Sequence, residues 1–402
     1  MLPFPQSNIP DEDQIVPVQQ LKNKPSAWTI TKHTLLFVAT FISVTLVGIF
    51  WVGQDANVDS YLEMWPQGAL FAALLLAFLA FHEFGHYFAA VYHKVKVSLP
   101  YFIPIPVGIG TMGAVIRIEE QIHNTKKLFD IGLAGPIAGF VVSLVILLYG
   151  FFTLPDPSFI ENFSGHEEVI EYIENTGTFP ETPPVPASEE SVIIMLGNTL
   201  LYSFLASFFE NVPPMYEMYH YPFLFAGWLG LFFTALNLTP IGQLDGGHIV
   251  YSLVGYKKHR KIARVVFGSL TALAGVEAIP FLFVSFSEWI PGFEYSSILI
   301  WALVLFLLLR KGFYSEHTWI APVWALSLIA SVGYLYFGIG SFTQSGSLIW
   351  TFWSFFLVYF VKMEHPPVIY EEPLSPGRRR LGWISMVVFV LCISPTPIYF
   401  FN

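Results

Sequence analysis

Cysteine and charge are both scarce in this sequence, and each shortage excludes a class of protein. The 402 residues contain one cysteine, Cys392, so intrachain disulfides and a cysteine metal cluster are excluded. Only 12% of the residues are charged and 54% are hydrophobic, whereas soluble domains carry about 25% charged residues. A water-soluble globular core is therefore excluded. The net charge of −10, with no basic face, also excludes nucleic acid as a partner.

Long apolar segments take the place of the missing charge. A transmembrane helix needs about 20 mostly apolar residues. The candidate spans are 34–53, 67–92, 128–152, 222–254, 262–286, 295–310, 319–338, 345–361 and 382–400. We therefore predict an all-α polytopic membrane protein with about nine transmembrane helices. Segment 191–209 is also apolar, but we expect that it does not cross, because a crossing there would place all later basic loops outside.

Lysine and arginine cluster in alternate loops, which predicts the orientation of the chain. Loops with Lys94 and Lys96, or with the run 378–380, alternate with acidic loops. The positive-inside rule then places the N-terminus inside, and we expect a multi-pass protein of a bacterial plasma membrane with a cytoplasmic N-terminus, embedded in membrane lipid.

The chain divides into a solvated N-terminal tail (1–33), a first span with its outer loop (34–66), a core (67–256) with an external acidic loop (153–221), and additional C-terminal helices (257–402). Within the acidic loop, the Pro- and Glu-rich segment 153–190 is expected to be mobile.

One helical turn of the second span carries three ionisable side chains. The stretch FLAFHEFGHYFAA (78–90) places His82 and His86 four residues apart, on one face of a helix. Two imidazoles at this spacing can bind one Zn²⁺, and Glu83 can then act as general base on a water that the metal activates. Each ionisable group at this depth costs about 2.5–3.5 kcal/mol. A bound cation offsets that cost, which favours a metal site over a chance match.

Asp245 is the candidate for a third metal ligand. It lies in LNLTPIGQLDGGH (236–248) and is the only acid in the fourth span. His82 lies about eleven residues, and Asp245 about ten, before the inner ends of their spans, so both lie about 15 Å from the inner surface. Two helices that run in the same direction would bring them to one level. The alternative is a lone buried acid that pairs with a neighbouring helix.

Pro240 predicts a kink or break in the fourth span, because it cannot donate a hydrogen bond to Leu236. Irregular backbone at membrane depth occurs where it lines a cavity or is buried in protein. Asn237 lies beside this break, and its amide could hold the attacking water or an oxyanion. The alternative is an asparagine that ties two helices together.

The segment VSLPYFIPIPVGIGTMGAVIRIEEQI (97–122) cannot be a helix, since it contains three prolines and three glycines. We predict a hairpin or re-entrant β-loop beside the active-site helix. Gly113, Ala114 and Val115 open its alternating part and are candidate substrate-binding residues, because a free strand edge can capture an extended peptide. The alternative is a plain connecting loop.

Small residues in the third span indicate close helix packing. Gly132, Gly135 and Gly139 recur at helix-packing spacing, and we expect this helix to approach the histidine pair closely. Most of the remaining histidines lie at span ends or in loops, where a solvated histidine is normal; they are His33, His93, His123, His166, His220, His248, His259, His317 and His365. His248 could contact a metal ligand, because it follows Asp245 by three residues.

Taken together, these motifs resemble the site-2 protease family of intramembrane zinc metalloproteases. HEFGH matches the family's HExxH, and AGPIAG in the third span matches a further element. The family pattern N-x-x-P-x-x-x-x-L-D-G is matched approximately, at Asn237, Pro240, Leu244, Asp245 and Gly246. The blocks NTKKLFDIGLAGPIAG and IGQLDGGHIVYSLVGYK are most similar to the cyanobacterial and plastid-type branch, and the sequence shows no PDZ-like block.

The resemblance implies a function and a set of site residues. It implies one Zn²⁺ per chain held by His82, His86 and Asp245, with Glu83 as catalytic acid and base, in an intramembrane protease core at 67–256. It also implies that the substrates are single-span transmembrane proteins, cleaved in or near the bilayer. The sequence does not give the oligomeric state.

Two other functions compete with proteolysis. A metal-ion transporter also places His and Asp within the membrane, but it should show inverted repeats and paired broken helices. The sequence has one predicted broken helix and no repeat. A catalytically inactive membrane-binding relative is the other alternative, and the intact set of candidate ligands and base argues against it.

Overall fold

A computed structural model describes residues 26–55, 60–183, 193–337 and 348–401. These residues form twelve α-helices and four short strands. The helices are α1 (Ala27–Val52), α2 (Trp65–Tyr92), α3 (Thr125–Phe152), α4 (Glu167–Thr176), α5 (Leu200–Ala206), α6 (Pro222–Leu238), α7 (Asp245–Val254), α8 (Tyr256–Trp289), α9 (Ser296–Gly312), α10 (His317–Tyr336), α11 (Ile349–Phe356) and α12 (Pro376–Cys392). The strands are β1 (Tyr101–Pro104), β2 (Thr111–Val115), β3 (Ile193–Leu196) and β4 (Ile398–Phe401).

Five helical segments are long and apolar enough to cross a membrane. They are α1, α2 together with the helical turn that precedes it, α3, α8 and α10. The predicted all-α polytopic membrane class is therefore confirmed. The other four predicted spans fall on α6, α9, α11 and α12, each of 17 residues or fewer. The total of about nine crossings stays a prediction, because these helices are shorter than the roughly 20 residues that a span needs.

The predicted end of the last span is wrong. Helix α12 ends at Cys392, whereas the prediction extended the span to residue 400. Pro395 and Pro397 follow the helix and cannot continue it. The chain then forms β4, which pairs antiparallel with β3.

The first helix begins before the predicted start of the first span at residue 34. Helix α1 begins at Ala27, inside the segment expected to be solvated, because the Ser26 side chain caps it by accepting a hydrogen bond from the Thr29 N–H. His33 is buried and its Nδ1 lies 2.9 Å from the carbonyl oxygen of Pro100. Residues 1–25 of the predicted tail lie outside the described part of the chain.

The connection between α3 and α6 is more folded than the sequence pattern indicates. A short helical turn (Pro157–Asn162) and α4 bury Ile160, Phe163 and Val169 in a small core of their own. The expectation of a mobile segment at 153–190 is therefore wrong for this part, while residues 184–190 lie outside the described ranges. Within 193–209 the chain forms β3 and the seven-residue α5, which is too short to cross a bilayer.

Helix α2 has two different faces. Phe81 and Phe88 are 58% and 63% exposed, as expected for side chains that contact lipid. His82, Glu83 and His86 are at most 7% exposed and face the neighbouring helices. The ionisable groups of this helix are therefore turned away from the bilayer.

The predicted hairpin is present next to α2. Strands β1 and β2 pair antiparallel, with Tyr101 opposite Val115 and Phe102 opposite Ala114. Phe102 and Ala114 belong to the same apolar cluster as Phe78 of α2. This packing holds the hairpin against the helix that carries the histidine pair.

The C-terminal helices form an apolar core of their own and also bind the N-terminal helices. Helices α8 to α11 bury a cluster that includes Phe267, Trp301 and Leu305. At the start of α12, the Arg378 guanidinium binds Asp130 of α3 through two hydrogen bonds of 2.7 Å. A bidentate pair of this kind fixes both position and orientation.

Glu277 is a buried acid in the apolar helix α8. Its Oε2 accepts hydrogen bonds from the backbone N–H groups of Trp350 (2.9 Å) and Thr351 (3.3 Å). Both groups lie in the first turn of α11, where N–H groups have no partner within the helix. Glu277 therefore caps α11 and connects it to α8.

We expect Glu277→Ala to destabilise the protein by about 1–3 kcal/mol, because it leaves the buried N–H of Trp350 and the partly buried N–H of Thr351 without an acceptor. Glu277→Gln keeps an acceptor oxygen and should destabilise less. Thermal unfolding in detergent measures the difference. The control is Glu288→Ala, at an exposed position in the same helix; equal unfolding temperatures for Glu277→Ala and Glu288→Ala would contradict the capping role.

Candidate metal centre

The predicted break in the fourth span is present and determines where Asp245 lies. Helix α6 ends at Leu238 and α7 begins at Asp245, with Pro240 between them. Gly242 in this connection has a φ of +54°, and a Cβ at this position would strike the carbonyl oxygen of Lys362. Only glycine fits both conditions. Asp245 is consequently the first residue of α7, where the helix dipole favours a carboxylate.

Asp245 and the two histidines of α2 meet in the interior. The Oδ2 atom of Asp245 lies 3.4 Å from Nε2 of His82 and 3.3 Å from Nε2 of His86. The two Nε2 atoms are 3.1 Å apart. One ligand atom from each residue lies within 4.8 Å of the other two, so the three could hold a single metal ion.

The polar contacts of the imidazoles fit a divalent metal ion. Nδ1 of His86 donates to the carbonyl oxygen of Ile131 at 2.7 Å, which leaves the Nε2 lone pair directed at the centre. Nδ1 of His82 is buried with no hydrogen-bond partner in the described part of the chain. A proton between the two Nε2 atoms would satisfy one lone pair, whereas a cation satisfies both and the carboxylate as well. Two histidines and one carboxylate are the donor set of zinc sites with an open fourth position.

Helix α3 approaches the metal centre as closely as its glycines allow. A Cβ at Gly135 would overlap the imidazole of His86, and a Cβ at Gly139 would lie 3.1 Å from Nδ1 of His82. The predicted close packing of the third span against the histidine pair is therefore present. The absence of side chains on this face of α3 leaves room for both imidazoles.

The other predicted site residues lie around this centre. The Glu83 carboxylate interacts with the backbone N–H of Ile116, directly after β2. Gly113, with a φ of +101°, and Val115, which is 50% exposed, lie on the same strand. Asn237 is half-buried in the last turn of α6. The roles of the metal ligands, the base, Asn237 and the strand residues stay predictions at this point.

Helix α7, which begins at Asp245, makes a side-chain contact that the sequence did not predict. His248, on the next turn of α7, lies with its Nδ1 2.8 Å from Nε2 of His365. His365 belongs to the EHPP loop and is only 3% exposed, so it is not among the histidines that are solvated. In the same loop the carboxylate of Glu364 binds Arg260. The two residues at 248 and 365 are 117 positions apart, and only the HPP motif signalled this loop.

We expect Gly135→Ala to weaken zinc binding at least about tenfold, because the new methyl group would displace the imidazole of His86. Zinc content after dialysis against a competing chelator measures this loss. The matched control is Gly333→Ala in α10, where nothing lies within 4 Å of the added carbon. Equal zinc affinity in the two variants would show that α3 does not shape the site.

Comparison with known proteins also indicates a zinc metalloprotease family. The model of peptidase family M50 matches residues 70–274, just over half of the chain. The probable chloroplastic zinc metalloprotease EGY1 of Arabidopsis thaliana is 32% identical over 217 residues, which cover 51% of this chain and 34% of that protein. The probable chloroplastic zinc metalloprotease EGY2 of Oryza sativa subsp. indica is 27% identical over 281 residues, which cover 68% of this chain and 47% of that protein.

The chain therefore spans about a third to a half of the length of these relatives. No solved structure matches it. The matched residues include α3, α6, α7 and all but the first turn of α2, which are the helices that build the candidate metal centre. The resemblance predicted from HEFGH and the Asp245 motif is confirmed: the chain belongs to peptidase family M50.

Proposed function

We propose that this protein is an intramembrane zinc metalloprotease that hydrolyses peptide bonds of transmembrane substrate proteins. The observation that carries the proposal is the convergence of His82, His86 and Asp245, beside Glu83, on the buried face of a helix apolar enough to cross a membrane. A centre on a membrane-spanning helix is directly accessible to substrates in the same bilayer, which supports transmembrane proteins as the substrate class. Both relatives described above are named as zinc metalloproteases.

The chemistry divides between the metal and Glu83. Zinc held by His82, His86 and Asp245 supplies Lewis acidity, which activates water and polarises a peptide carbonyl when the ion is bound. Glu83 accepts the proton of the attacking water and then donates it to the leaving amine. Because Glu83 is only 7% exposed, bulk water competes little for that proton. We assign the amide of Asn237 to hold the attacking water or the oxyanion.

The edge of β2 is the proposed binding place for the substrate backbone. A helical substrate hides its scissile bond, so it must be extended to be cut. In the described chain β2 pairs with β1 alone. Backbone N–H groups of alternate strand residues point the same way, so the N–H of Ala114 points to the same side as that of Ile116, which faces Glu83. A peptide added along Gly113–Val115 would therefore pass the catalytic group.

The substrate class and the membrane orientation are part of the proposal. We propose single-span transmembrane proteins as substrates, because one extended segment fits along one strand edge. The pattern of basic loops supports an inner location for the N-terminus. The relatives carry the word chloroplastic in their names, so they do not favour a bacterial plasma membrane over a plastid membrane.

Glu83→Gln should abolish cleavage of a model transmembrane substrate, with a loss of about 10²–10⁴-fold, because the amide cannot accept the proton. Zinc content should stay at the wild-type level, since Glu83 is not a ligand. Cleavage is followed by gel mobility in detergent and zinc by mass spectrometry. Asp245→Asn is the companion variant and should lose zinc as well as activity. Cleavage by Glu83→Gln at the normal rate would exclude this mechanism.

Metal flux separates the protease from a transporter. Wild-type protein in liposomes should cleave the substrate without moving zinc across the bilayer. Zinc flux that persists in Glu83→Gln would support a carrier instead.

Ala114→Pro should lower kcat/KM by about tenfold or more. Proline removes the backbone N–H at the strand edge, which would donate a hydrogen bond to a carbonyl oxygen of the substrate. Proline is tolerated on edge strands, so the hairpin should remain folded. Zinc content should be unchanged. Ala114→Val, which keeps the N–H, is the control, and equal kcat/KM for the two variants would argue against strand addition.

A further inference from the structure

A second histidine–carboxylate cluster lies far from α2 in the sequence. His166 precedes α4, and Glu217 and His220 lie in the turn that leads into α6. The Nε2 atoms of His166 and His220 are 3.1 Å apart. Oε2 of Glu217 lies 3.1 Å from Nε2 of His166 and 3.7 Å from Nε2 of His220. One ligand atom of each residue lies within 4.8 Å of the other two.

The cluster is buried, although its residues belong to a connection between helices. The Glu217 side chain is only 3% exposed, and those of His166 and His220 are 15% and 9% exposed. The ring of Phe163 covers His220, with 4.0 Å between the ring centroids. His166 and His220 are therefore exceptions to the expectation that most histidines outside the α2 pair are solvated. A carboxylate in such surroundings requires a charged or hydrogen-bonding partner.

The geometry repeats that of the centre on α2. In both clusters two imidazoles point their Nε2 atoms at one another across 3.1 Å, and one carboxylate oxygen completes a triangle. Nδ1 of His166 lies 2.9 Å from the carbonyl oxygen of Ser164 and donates to it. That bond leaves the Nε2 lone pair directed into the cluster, as the bond to Ile131 does for His86.

Protons alone satisfy this arrangement poorly. With both imidazoles neutral, His166 offers a lone pair, and only one N–H of His220 is available for that lone pair and for Glu217. Oε2 of Glu217 is buried without a well-formed hydrogen bond in the described chain. A divalent cation would satisfy both lone pairs and the carboxylate together. The competing state is a doubly protonated His166 paired with Glu217, and it requires no metal.

We propose that His166, Glu217 and His220 bind a second Zn²⁺. Two imidazoles and a carboxylate are a donor set that suits zinc. The only carboxylate in the triad is itself a ligand, which leaves no general base within the cluster, so the ion is structural. It fastens the folded connection that contains α4 to the start of α6, the helix that ends at the break before Asp245.

Zinc stoichiometry of the 402-residue chain in detergent tests this proposal. After zinc loading and dialysis, the wild type should hold two ions per chain, and His166→Ala or Glu217→Gln should hold one. His317→Ala, at an exposed histidine that begins α10, is the matched control and should hold two. Equal zinc content in His166→Ala and His317→Ala overturns the proposal and favours the protonated pair.

Cobalt binding tests the second site directly, in a variant that keeps His166, Glu217 and His220 unchanged. The double variant His82→Ala/His86→Ala removes the centre on α2 and should still take up one Co²⁺, with the visible absorption of a tetrahedral ion. Adding Glu217→Gln should abolish that absorption. If the double variant binds no Co²⁺, the second site does not exist. Loss of zinc in His82→Ala tests the proposed protease centre separately, so the two proposals fail in distinguishable ways.

Discussion

The burial of three ionisable side chains within one turn of an apolar helix is the constraint on which the rest of the structure depends. Each such group is costly at membrane depth, by about 2.5–3.5 kcal/mol. The neighbouring elements are arranged to offset that cost. Asp245 meets the two imidazoles, a carbonyl of α3 accepts from His86, and the backbone at the end of β2 reaches Glu83. The exposed face of α2 carries apolar and aromatic side chains, such as Leu70, Phe81 and Phe88.

A broken helix makes this arrangement possible. A continuous helix would bury Asp245 in the middle of a regular span, with its backbone groups already paired. The break instead places Asp245 at a helix N-terminus and leaves a connection whose backbone must be covered by protein. Residues of the C-terminal part of the chain provide that cover. The carbonyl of Lys362 lies against Gly242, and His365 contacts His248. The C-terminal part of the chain therefore contacts the elements that carry the candidate metal centre.

Local patterns predicted the parts of the site that depend on short spacing. The four-residue interval of His82 and His86, the break at Pro240 and the hairpin at 97–122 are all properties of contiguous residues. The depth of Asp245 in the membrane could be predicted as well. Because the rise per helical residue is constant, counting residues from the inner end of each span gave Asp245 the same depth as His82. Errors arose where a partner distant in the sequence decided the outcome. The C-terminal residues 398–401 form a strand because β3 pairs with them, and His33 is buried because the hairpin covers it.

The sequence by itself determined the membrane class, the family and the identity of the candidate ligands, because apolar length and short motifs are written in contiguous residues. Only the tertiary structure decided which distant groups meet. It joined His166 to Glu217 and His220, capped α11 with Glu277, and placed His365 against α7. The physical reason is that each of these contacts joins segments some 50 to 120 positions apart. Periodicity within one segment cannot predict a contact between segments so far apart, because such contacts form only when the helices pack.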